Sequence, residues 1–505
     1  MRFKQPLIVA FAFSLTGFAL TSRSQDNPPA SDDLRELRKK IDQLEQKVRE
    51  LEQKVSATNQ DKPKQLPVEE LEQKLKVLER NRELDQEAAE AKAKEAPKIS
   101  LGQNGFSFAS ADGSFGIQLK GLVQVDSRTF FHDSEIVGND SLLLRRARPI
   151  IQGTLFSNID FLFVPDFGGS GAQIFDAYIN YRLIPELQLQ AGKFKSPVGL
   201  EQLQTDAYTL FNERSVVTAL VPNRDIGFEL HGDFWDGALS YAAGIFNGVG
   251  DARISSNVDF DDHKEFAGRI FFQPFLKTSV APLSGLGFGL SGSYAKYQTT
   301  NTAGLPATTG GTLAGYTTDG QQQFFAFNPT NGVVYADGAH WHLSPQGYYY
   351  IGPFGLFGEY VISDQKVRRT VAPVRSATLE NTAWEVSALW NITGEDAVYN
   401  APLVPRHNFS LWNGGGLGAW QLVGRYAEAN IDEDAFPFFS NPATSARGVS
   451  TWSVGLNWWL NRNLRLATSF SHADFKGGGG AGTGAPAVVT RRDEDVLFTR
   501  LQLSF

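Results

Sequence analysis

Cysteine is absent from this chain of 505 residues, and methionine occurs once. The protein therefore has no disulfides, no thiolate metal ligands and no cysteine that could carry a lipid. The body of the chain also lacks any apolar run of about eighteen residues, which excludes transmembrane helices there. Neither sign of charge dominates, because 47 Lys and Arg stand against 55 Asp and Glu. The abundant residues are glycine, with 49 copies, and phenylalanine, with 38.

The last residues of the chain alternate between apolar and polar side chains. One face of this predicted strand carries Leu497, Thr499, Leu501, Leu503 and Phe505. The other face carries Phe498, Arg500, Gln502 and Ser504. An apolar outer face that ends on an aromatic carboxyl terminus is typical of bacterial outer-membrane β-barrels, in which lipid-facing and lumen-facing side chains alternate.

The same alternation recurs from residue 115 onward, and we count about sixteen predicted strands with this barrel signature. Short links such as Gly352-Pro353 alternate with long polar segments such as 299–338. Short turns at one end and long loops at the other are the outer-membrane arrangement, and an even strand number places both chain ends on the short-turn side. We therefore predict an all-β protein, a transmembrane antiparallel β-barrel of about 16 strands whose last strand lies beside the first.

A secreted protein built from β-sandwiches is the alternative to a membrane barrel. Tryptophans argue against it, because Trp384 and Trp390 lie on one face of a predicted strand, as do Trp452 and Trp458. Six residues of strand span roughly 20 Å. This spacing fits two aromatic girdles at the two membrane interfaces.

The amino-terminal region reads as a secretory signal followed by a helical segment. Arg2 and Lys4 precede the apolar stretch Pro6–Leu20, as in signal peptides. A heptad seam follows, formed by Leu34, Leu37, Ile41, Leu44, Val48, Leu51 and Val55. A shorter seam follows the prolines and is formed by Val68, Leu71, Leu75 and Leu78. Basic and acidic residues are interleaved around both seams, which favours a solvated coiled coil over a nucleic-acid-binding surface.

We therefore predict four segments along the chain. They are a signal peptide (1–24), an α-helical coiled coil in the periplasm (31–82), a linker (83–100) and the outer-membrane barrel (101–505). Ile and Val at the a positions with Leu at d favour two strands in an isolated coiled coil.

Several short motifs, in chain order, resemble those of the phosphate-selective porin O/P family. They are Leu142–Pro149, Phe175–Tyr178, Gly192–Lys195, Gly199–Glu201, Glu213-Arg214, Gly358–Val361, Thr393–Glu395, Gly418–Trp420, Arg425-Tyr426 and Gly455–Trp458. The resemblance implies a sixteen-stranded homotrimeric porin in the outer-membrane lipid. It also implies that a long third external loop, Gly199–Arg224, folds into each pore. No cofactor is implied.

The chain departs from the phosphate-selective pattern of that family at several positions. Gln202 stands where the resemblance implies an anion-binding lysine, and Thr205 and Asp206 stand where it implies two hydroxyls. A carboxylate at Asp206 repels phosphate. The segment 299–338 contains no arginine, although the resemblance implies a ladder of arginines there. Residues 99–505 carry 28 Lys and Arg against 37 Asp and Glu, a net charge of −9.

Side chains along a strand alternate between the lumen and the lipid, and we call this alternation strand parity. Strand parity and the resemblance together give a set of candidate pore-lining and constriction residues. The set is Arg145, Arg146, Arg148, Asp176, Thr205, Asp206, Arg214 and Arg425. Parity turns Arg146 and Arg148 inward and places Arg145 near the external rim, while Arg214 and Asp176 match the constriction arginine and aspartate of the family. A basic wall that faces acids of the folded loop sets the field that selects ions. The alternative is that Arg146 and Arg148 only pair with Asp160 or Asp176 to satisfy a polar interior.

Other constellations do not predict a chemical site. His340 and His342 share the inward face of one strand, but the sequence shows no third ligand, so no metal site is predicted. The cluster Asp259–Asp262 reads as a solvated acidic loop, and no catalytic grouping is visible.

The function predicted is passive diffusion of small hydrophilic solutes or ions through a water-filled pore, without enzymatic activity. Two alternatives remain open at this point. The first is an anion- or phosphate-selective porin, and the second is an outer-membrane anchor whose coiled coil tethers a periplasmic partner or the cell wall.

Overall fold

The computed structural model describes most of the chain from Val68 to the carboxyl terminus. The described residues are 46–47, 49–50, 68–131, 138–169, 171–255, 259, 261–278, 281–297, 313, 315–330, 332–369, 371–412, 415–480 and 489–505. The chain divides into two units, Met1–Ala91 and Lys92–Phe505. The predicted signal peptide and the first heptad seam lie outside the described residues. No helix among the described residues is long and apolar enough to cross a membrane.

Helix α1 spans Val68–Glu95, a length of 28 residues. It covers the second predicted seam and most of the predicted linker without interruption. Leu75, Leu78 and Leu84 of this helix are exposed to solvent. The coiled coil therefore stays a prediction.

The second unit is built from twenty strands within the described residues. They are β1 (Lys98–Gly102), β2 (Gly105–Ala109), β3 (Gly116–Phe131), β4 (Ser141–Leu155), β5 (Ile159–Asp166), β6 (Gln173–Ile184), β7 (Leu187–Lys195), β8 (Arg224–Phe234), β9 (Leu239–Phe246), β10 (Glu265–Phe272), β11 (Leu286–Tyr297), β12 (Tyr316–Thr317), β13 (Gln323–Phe325), β14 (Val334–Ile351), β15 (Phe354–Arg369), β16 (Arg375–Asn391), β17 (Ala419–Asn430), β18 (Gly448–Trp459), β19 (Leu464–Phe475) and β20 (Glu494–Ser504).

Sixteen of these strands, β3–β11 and β14–β20, form a closed antiparallel barrel. Each strand pairs with the next along the chain, and β20 pairs with β3 to close the ring. The predicted strand number and the predicted neighbourhood of the first and last strands are thus confirmed. Two short hairpins, β1–β2 and β12–β13, accompany the barrel.

The ring closes through the carboxyl-terminal residue. The backbone N–H of Phe505 donates to the carbonyl of Gly121 at 3.0 Å, and the N–H of Gly121 donates to Phe505 at 2.9 Å. A Cβ atom at Gly121 would lie 2.8 Å from the Phe505 ring. The glycine therefore leaves the space into which the terminal aromatic ring packs.

The barrel wall is apolar outside and polar inside. Val123, Val125 and Leu501 are exposed, whereas Asp126 and Arg500 on the same two strands are buried. This distribution is the reverse of that in a soluble protein, and it matches a barrel whose outer face meets lipid.

Aromatic side chains form two rows on the outer face. Trp384 on β16 lies beside Tyr426 on β17, with ring centroids 5.4 Å apart. Six residues further along β16, Trp390 begins the second row, in which Trp420 and Trp458 stack at 4.9 Å. Two such rows are typical of the girdles at the two membrane interfaces.

Strands β14, β15 and β16 extend beyond the apolar part of their outer faces. Strand β15, for example, ends at Arg369. Asp364, Lys366 and Arg368 are the outward residues of its last part, where the outer face is no longer apolar. Backbone pairing continues there, although an apolar outer face no longer marks the strand in the sequence. The hairpin β1–β2 was not predicted.

Loop 3, residues 196–223 between β7 and β8, folds into the barrel. Its residues Val198, Leu200 and Leu220 have no exposed surface. The backbone N–H groups of Leu200 and Glu201 donate to the Glu359 carboxylate on β15, at 2.7 and 2.8 Å. Because β15 is far from β7 in strand order, loop 3 spans the lumen, as the resemblance implied.

Candidate functional site

A β-bulge in β4 brings an additional arginine into the lumen. Gln124 of β3 pairs with Arg146, and the next residue, Val125, pairs with Leu144, so Arg145 is the extra residue. A bulge re-aims side chains because two residues oppose one on the partner strand. Arg145 and Arg146 therefore both contact groups inside the barrel, although simple alternation would turn only one of them inward.

The first set of charges at the constriction surrounds Glu213 of loop 3. Arg145 Nε donates to Glu213 Oε1 at 2.6 Å, and Arg128 Nη2 donates to the same oxygen at 3.0 Å. Arg500 Nη2 lies 3.5 Å from this carboxylate. Burial alone would raise the pKa of Glu213, but Arg145 above all holds it well below its usual range. Glu213 is therefore negatively charged at neutral pH.

The second set surrounds Asp206, also on loop 3. Arg214 Nη1 lies 2.5 Å from Asp206 Oδ1, and Arg148 contacts the other oxygen. Arg146 Nε is 3.6 Å from Asp206 Oδ2. Burial would raise the pKa of Asp206, but the three guanidinium groups hold it well below its usual range. Basic side chains of the wall and of loop 3 thus converge on one carboxylate of that loop.

A second bulge lies in β6. Val164 of β5 pairs with Asp176, and the following Pro165 pairs with Ile174, so Phe175 is the extra residue. As a result, adjacent side chains of β6 both contribute to the constriction.

Phe175 lies between two arginines at this bulge. The guanidinium carbons of Arg148 and Arg224 are 3.8 and 4.1 Å from its ring centre. Each arginine is also paired with a carboxylate: Arg148 Nε with Asp166 at 2.7 Å, and Arg224 Nε with Asp176 at 2.9 Å. The aromatic face and the carboxylates together hold the two guanidinium planes in place.

These groups line a cavity of about 290 Å³ beside loop 3. Its charged lining residues are Arg145, Arg146, Arg148, Arg214, Arg224, Asp206 and Glu213. Its remaining lining is largely polar and includes Gln202, Thr317, Thr318 and Gln321. The cavity is therefore an arginine-rich waist of the pore, formed by the barrel wall and loop 3. Loop 5 (residues 298–333) contributes Thr317, Thr318 and Gln321 to its lining.

Five of the eight predicted site residues lie together on this cavity, namely Arg145, Arg146, Arg148, Asp206 and Arg214. Asp176 lies behind it through its pair with Arg224. Thr205 is exposed, and its backbone N–H donates to Asn400 at 2.7 Å. It is thus not among the residues that line the cavity.

Arg425 belongs to a separate cluster, which loop 5 completes. Its guanidinium lies 3.0 Å from Glu201 of loop 3 and 2.8 Å from Asp319 of loop 5. Asp319 also accepts hydrogen bonds from Ser453 and Ser471 on the neighbouring strands β18 and β19, both at 3.1 Å. Loop 5 therefore contributes a carboxylate to the lumen in this protein.

The alternative in which Arg146 and Arg148 pair with Asp160 or Asp176 is wrong. Asp160 pairs with Arg182 at 2.8 Å, and Asp176 pairs with Arg224. Asp206 of loop 3 faces both arginines instead, and Arg148 also pairs with Asp166 of β5.

Sequence reasoning did not select Arg128, Glu213 or Arg224 as site residues, although all three contribute charges here. Glu213 lies in loop 3 and Arg224 directly follows it, and their position in this loop was the signal available in the sequence. Arg128 carried no comparable signal, because its role depends on where loop 3 folds.

Comparisons with known proteins decide the family. The family described as "Phosphate-selective porin O and P" has a sequence model that matches residues 117–505. The chain belongs to this family. It is an outer-membrane porin, and its resemblance in sequence motifs is confirmed. A comparison with curated protein sequences gives no match.

Solved porin structures resemble the fold of this porin at low sequence identity. The outer membrane channel DcaP of Acinetobacter baumannii is 11% identical, with a TM-score of 0.50 over 78% of this chain and 98% of that one. An anion-selective porin from Comamonas acidovorans is also 11% identical, with a TM-score of 0.48 over 77% of this chain and 100% of that one. OmpT of Vibrio cholerae is 9% identical, with a TM-score of 0.46 over 78% and 98%. Identities this low show the fold alone.

Proposed function

We propose that this porin passes small hydrophilic solutes by passive diffusion with a weak preference for anions, without a cofactor or an enzymatic step. The observation that carries the proposal is the charge of the cavity beside loop 3. Five arginines line it, and four carboxylates pair with them: Asp166, Asp176, Asp206 and Glu213. A cavity with one more positive than negative side chain attracts anions without binding them tightly.

The same geometry argues against a dedicated phosphate site. Asp206 occupies the centre of the arginine cluster, so a phosphate would meet a carboxylate already paired with Arg214 and Arg148. Gln202, which stands at the position of the anion-binding lysine, donates to Asn223 Oδ1 at 2.6 Å. A neutral amide engaged in this way adds no positive charge for an oxyanion.

Planar-bilayer recordings of the purified protein test this proposal. Reversal potentials in a salt gradient should show a modest preference for chloride over potassium, and added phosphate should leave the chloride current largely unchanged. Strong anion selectivity with phosphate block would establish the phosphate-selective alternative. Cation selectivity would contradict both proposals.

Two further parts of the proposal follow from the family and from the chain order. We propose that the functional unit is a homotrimer, which is tested by cross-linking and native mass spectrometry of the detergent-solubilised protein. The barrel wall begins at the short-turn end with β3, so we propose that the preceding segment, with the coiled coil, lies in the periplasm. Protease added to intact cells should leave that segment uncut.

Deletion of residues 31–98 separates the channel from the anchor alternative. The truncated porin should conduct as the full chain does if the barrel itself carries the function. Weakened cell-envelope integrity together with unchanged conductance would support a tethering role for the coiled coil. Abolished conductance in a correctly folded barrel would refute the view that the barrel alone is the channel.

A further inference from the structure

A second cluster of functional groups lies at the external ends of β11, β14 and β15. Asp251 belongs to loop 4 (residues 247–264), and His340 and His342 lie two residues apart on β14. Asp251 Oδ1 is 2.7 Å from His342 Nε2 and 3.2 Å from His340 Nε2. All three side chains are buried. Loop 4 thus supplies the third ligand that the sequence did not show.

The other ring nitrogen of each histidine faces a hydroxyl group. Ser293 Oγ lies 2.7 Å from His342 Nδ1, and Tyr297 OH lies 3.3 Å from His340 Nδ1. Histidines that bind metals almost always have such a partner on the second nitrogen, because it fixes the ring orientation and the tautomer. Both Nε2 atoms face the same oxygen of Asp251, and His340 Nε2 also lies 3.3 Å from Ser363 Oγ.

The carboxylate is oriented in the same way. Asp251 Oδ2 accepts hydrogen bonds from Ser363 Oγ on β15 at 2.8 Å and from Tyr316 OH of loop 5 at 3.0 Å. Asp251 Oδ1 is therefore left to face the imidazoles. Outer partners of this kind orient ligating carboxylates in metal sites.

A further buried acidic side chain lies beside the three groups. Glu265, at the external end of β10, has 1% of its surface exposed, and its Oε1 atom has no hydrogen-bond partner in the described part of the chain. Its carboxylate shares the hydroxyl of Ser293 with His342. Burial makes the ionised form of a carboxylate costly, and a divalent cation nearby would favour the ionised form of Glu265.

We propose that Asp251, His340 and His342 bind a divalent transition-metal ion of the zinc class. In a tetrahedral site with metal–ligand distances of about 2.0–2.1 Å, neighbouring ligand atoms lie about 3.3 Å apart. The observed distances of 2.7 and 3.2 Å need adjustments of about 0.6 Å or less to reach that value. Two imidazole nitrogens with one carboxylate favour zinc, nickel or copper over magnesium or calcium.

The ion would join elements that are distant along the chain. One ligand comes from loop 4 and two come from β14, while the hydroxyls that orient them come from β11, β15 and loop 5. Metal binding would therefore fix Asp251 of loop 4 and Tyr316 of loop 5 against the barrel wall. The residues that follow them, Ala252 and Thr317, line the waist cavity.

The test uses the full-length porin purified without a histidine tag and stripped with a chelator. Zinc is titrated by calorimetry, and cobalt is titrated by its visible absorption, which reports tetrahedral coordination. We expect one ion per chain at this site. We expect an affinity for zinc at least about tenfold lower in each of three variants, Asp251→Asn, His340→Gln and His342→Gln. Removing a residue that only hydrogen-bonds to a metal ligand already lowers metal affinity about 10–100-fold.

Two control variants separate this site from incidental binding. His407→Gln removes an exposed histidine and should leave the affinity unchanged. His472 forms a second, more exposed group of possible metal ligands with Asp474 and Asp493. The zinc that is lost in His472→Gln measures binding by this group and is subtracted from the total. Heat-modifiable migration in gels confirms that each variant is folded. The proposal is refuted if the folded His340→Gln and His342→Gln variants bind zinc as the parent does, or if the parent binds no ion beyond the contribution of His472.

Discussion

Replacing Asp206 with asparagine should increase the anion preference of the pore. The carboxylate lies within 3.6 Å of three arginine side chains, those of Arg146, Arg148 and Arg214, and it lines the waist cavity. Asparagine keeps the shape and the hydrogen-bond acceptor but removes the charge. The cavity then gains one net positive charge, while the barrel wall and the path of loop 3 are retained.

The size of the effect follows from Coulomb's law. For an ion about 6 Å from the lost charge in a water-filled waist, the energy changes by ~0.7 kcal/mol. Screening over a Debye length of about 10 Å at 0.1 M salt reduces this to ~0.4 kcal/mol. That energy changes the partition of a monovalent anion about twofold and that of a cation by the inverse factor, so the permeability ratio should shift roughly three- to fourfold.

Reversal potentials in a KCl gradient across a planar bilayer measure this ratio. Asp160→Asn is the matched control, because it removes the same charge from a partly exposed pair with Arg182 outside the waist cavity. The control should change the ratio much less. Equal shifts in the two variants, or no shift in Asp206→Asn, would refute the assignment of the waist to this cavity. A shift that does not weaken at 1 M salt would refute its electrostatic origin.

Three further predictions concern the same lumen. Combining Gln202→Lys with Asp206→Ser should restore the cationic and hydroxyl groups of the family pattern, so that millimolar phosphate blocks the chloride current. The charges of Asp206 and Glu213 should persist from pH 7 to about pH 4, because the pKa values of both groups are lowered. The shift in permeability ratio caused by Asp206→Asn should therefore be the same at pH 7 and at pH 5, and a shift that disappears at pH 5 would contradict the assignment. The contribution of the two carboxylates to stability is lost only when the pH falls through their lowered pKa values. Arg500→Ala should destabilise the barrel by about 3–5 kcal/mol in denaturant unfolding, because it leaves Asp126 buried and unpaired. Two hydrogen bonds of 2.7 Å join those two residues, and Asp126→Asn added to Arg500→Ala should recover part of the loss.

The alternation of side chains was enough to predict the barrel, its strand number and its lipid-facing side. It was enough because every second residue of a membrane strand meets hydrocarbon, and that constraint is visible in each strand separately. It failed above the membrane, where β15 continues to Arg369 while its outward residues become polar. There, backbone pairing determines the strand, and the side chains no longer report it.

The site was predicted less completely, and bulges are the main reason. Parity placed Arg145 at the rim, but the extra residue in β4 brings it to Glu213. A bulge depends on how two strands pair, so one sequence read strand by strand cannot reveal it. The metal-site candidate shows the same limitation: His340 and His342 were visible as a pair, but Asp251 reaches them only through the fold of loop 4.

The join between the two ends of the barrel has a consequence for how the chain acquires its structure. The Asp126–Arg500 contact links residues 374 positions apart, and Phe505 completes the seam at Gly121. Contacts of such sequence separation are slow to form, since a long loop of chain must be ordered before they contribute. Strand β2 pairs with β3 only up to Leu119, so residues 122–131 of β3 have no partner on that edge until β20 has been made and exported. A chain that stops a few residues early would lose the seam itself, and the exposed edges would then be open to pairing with other chains.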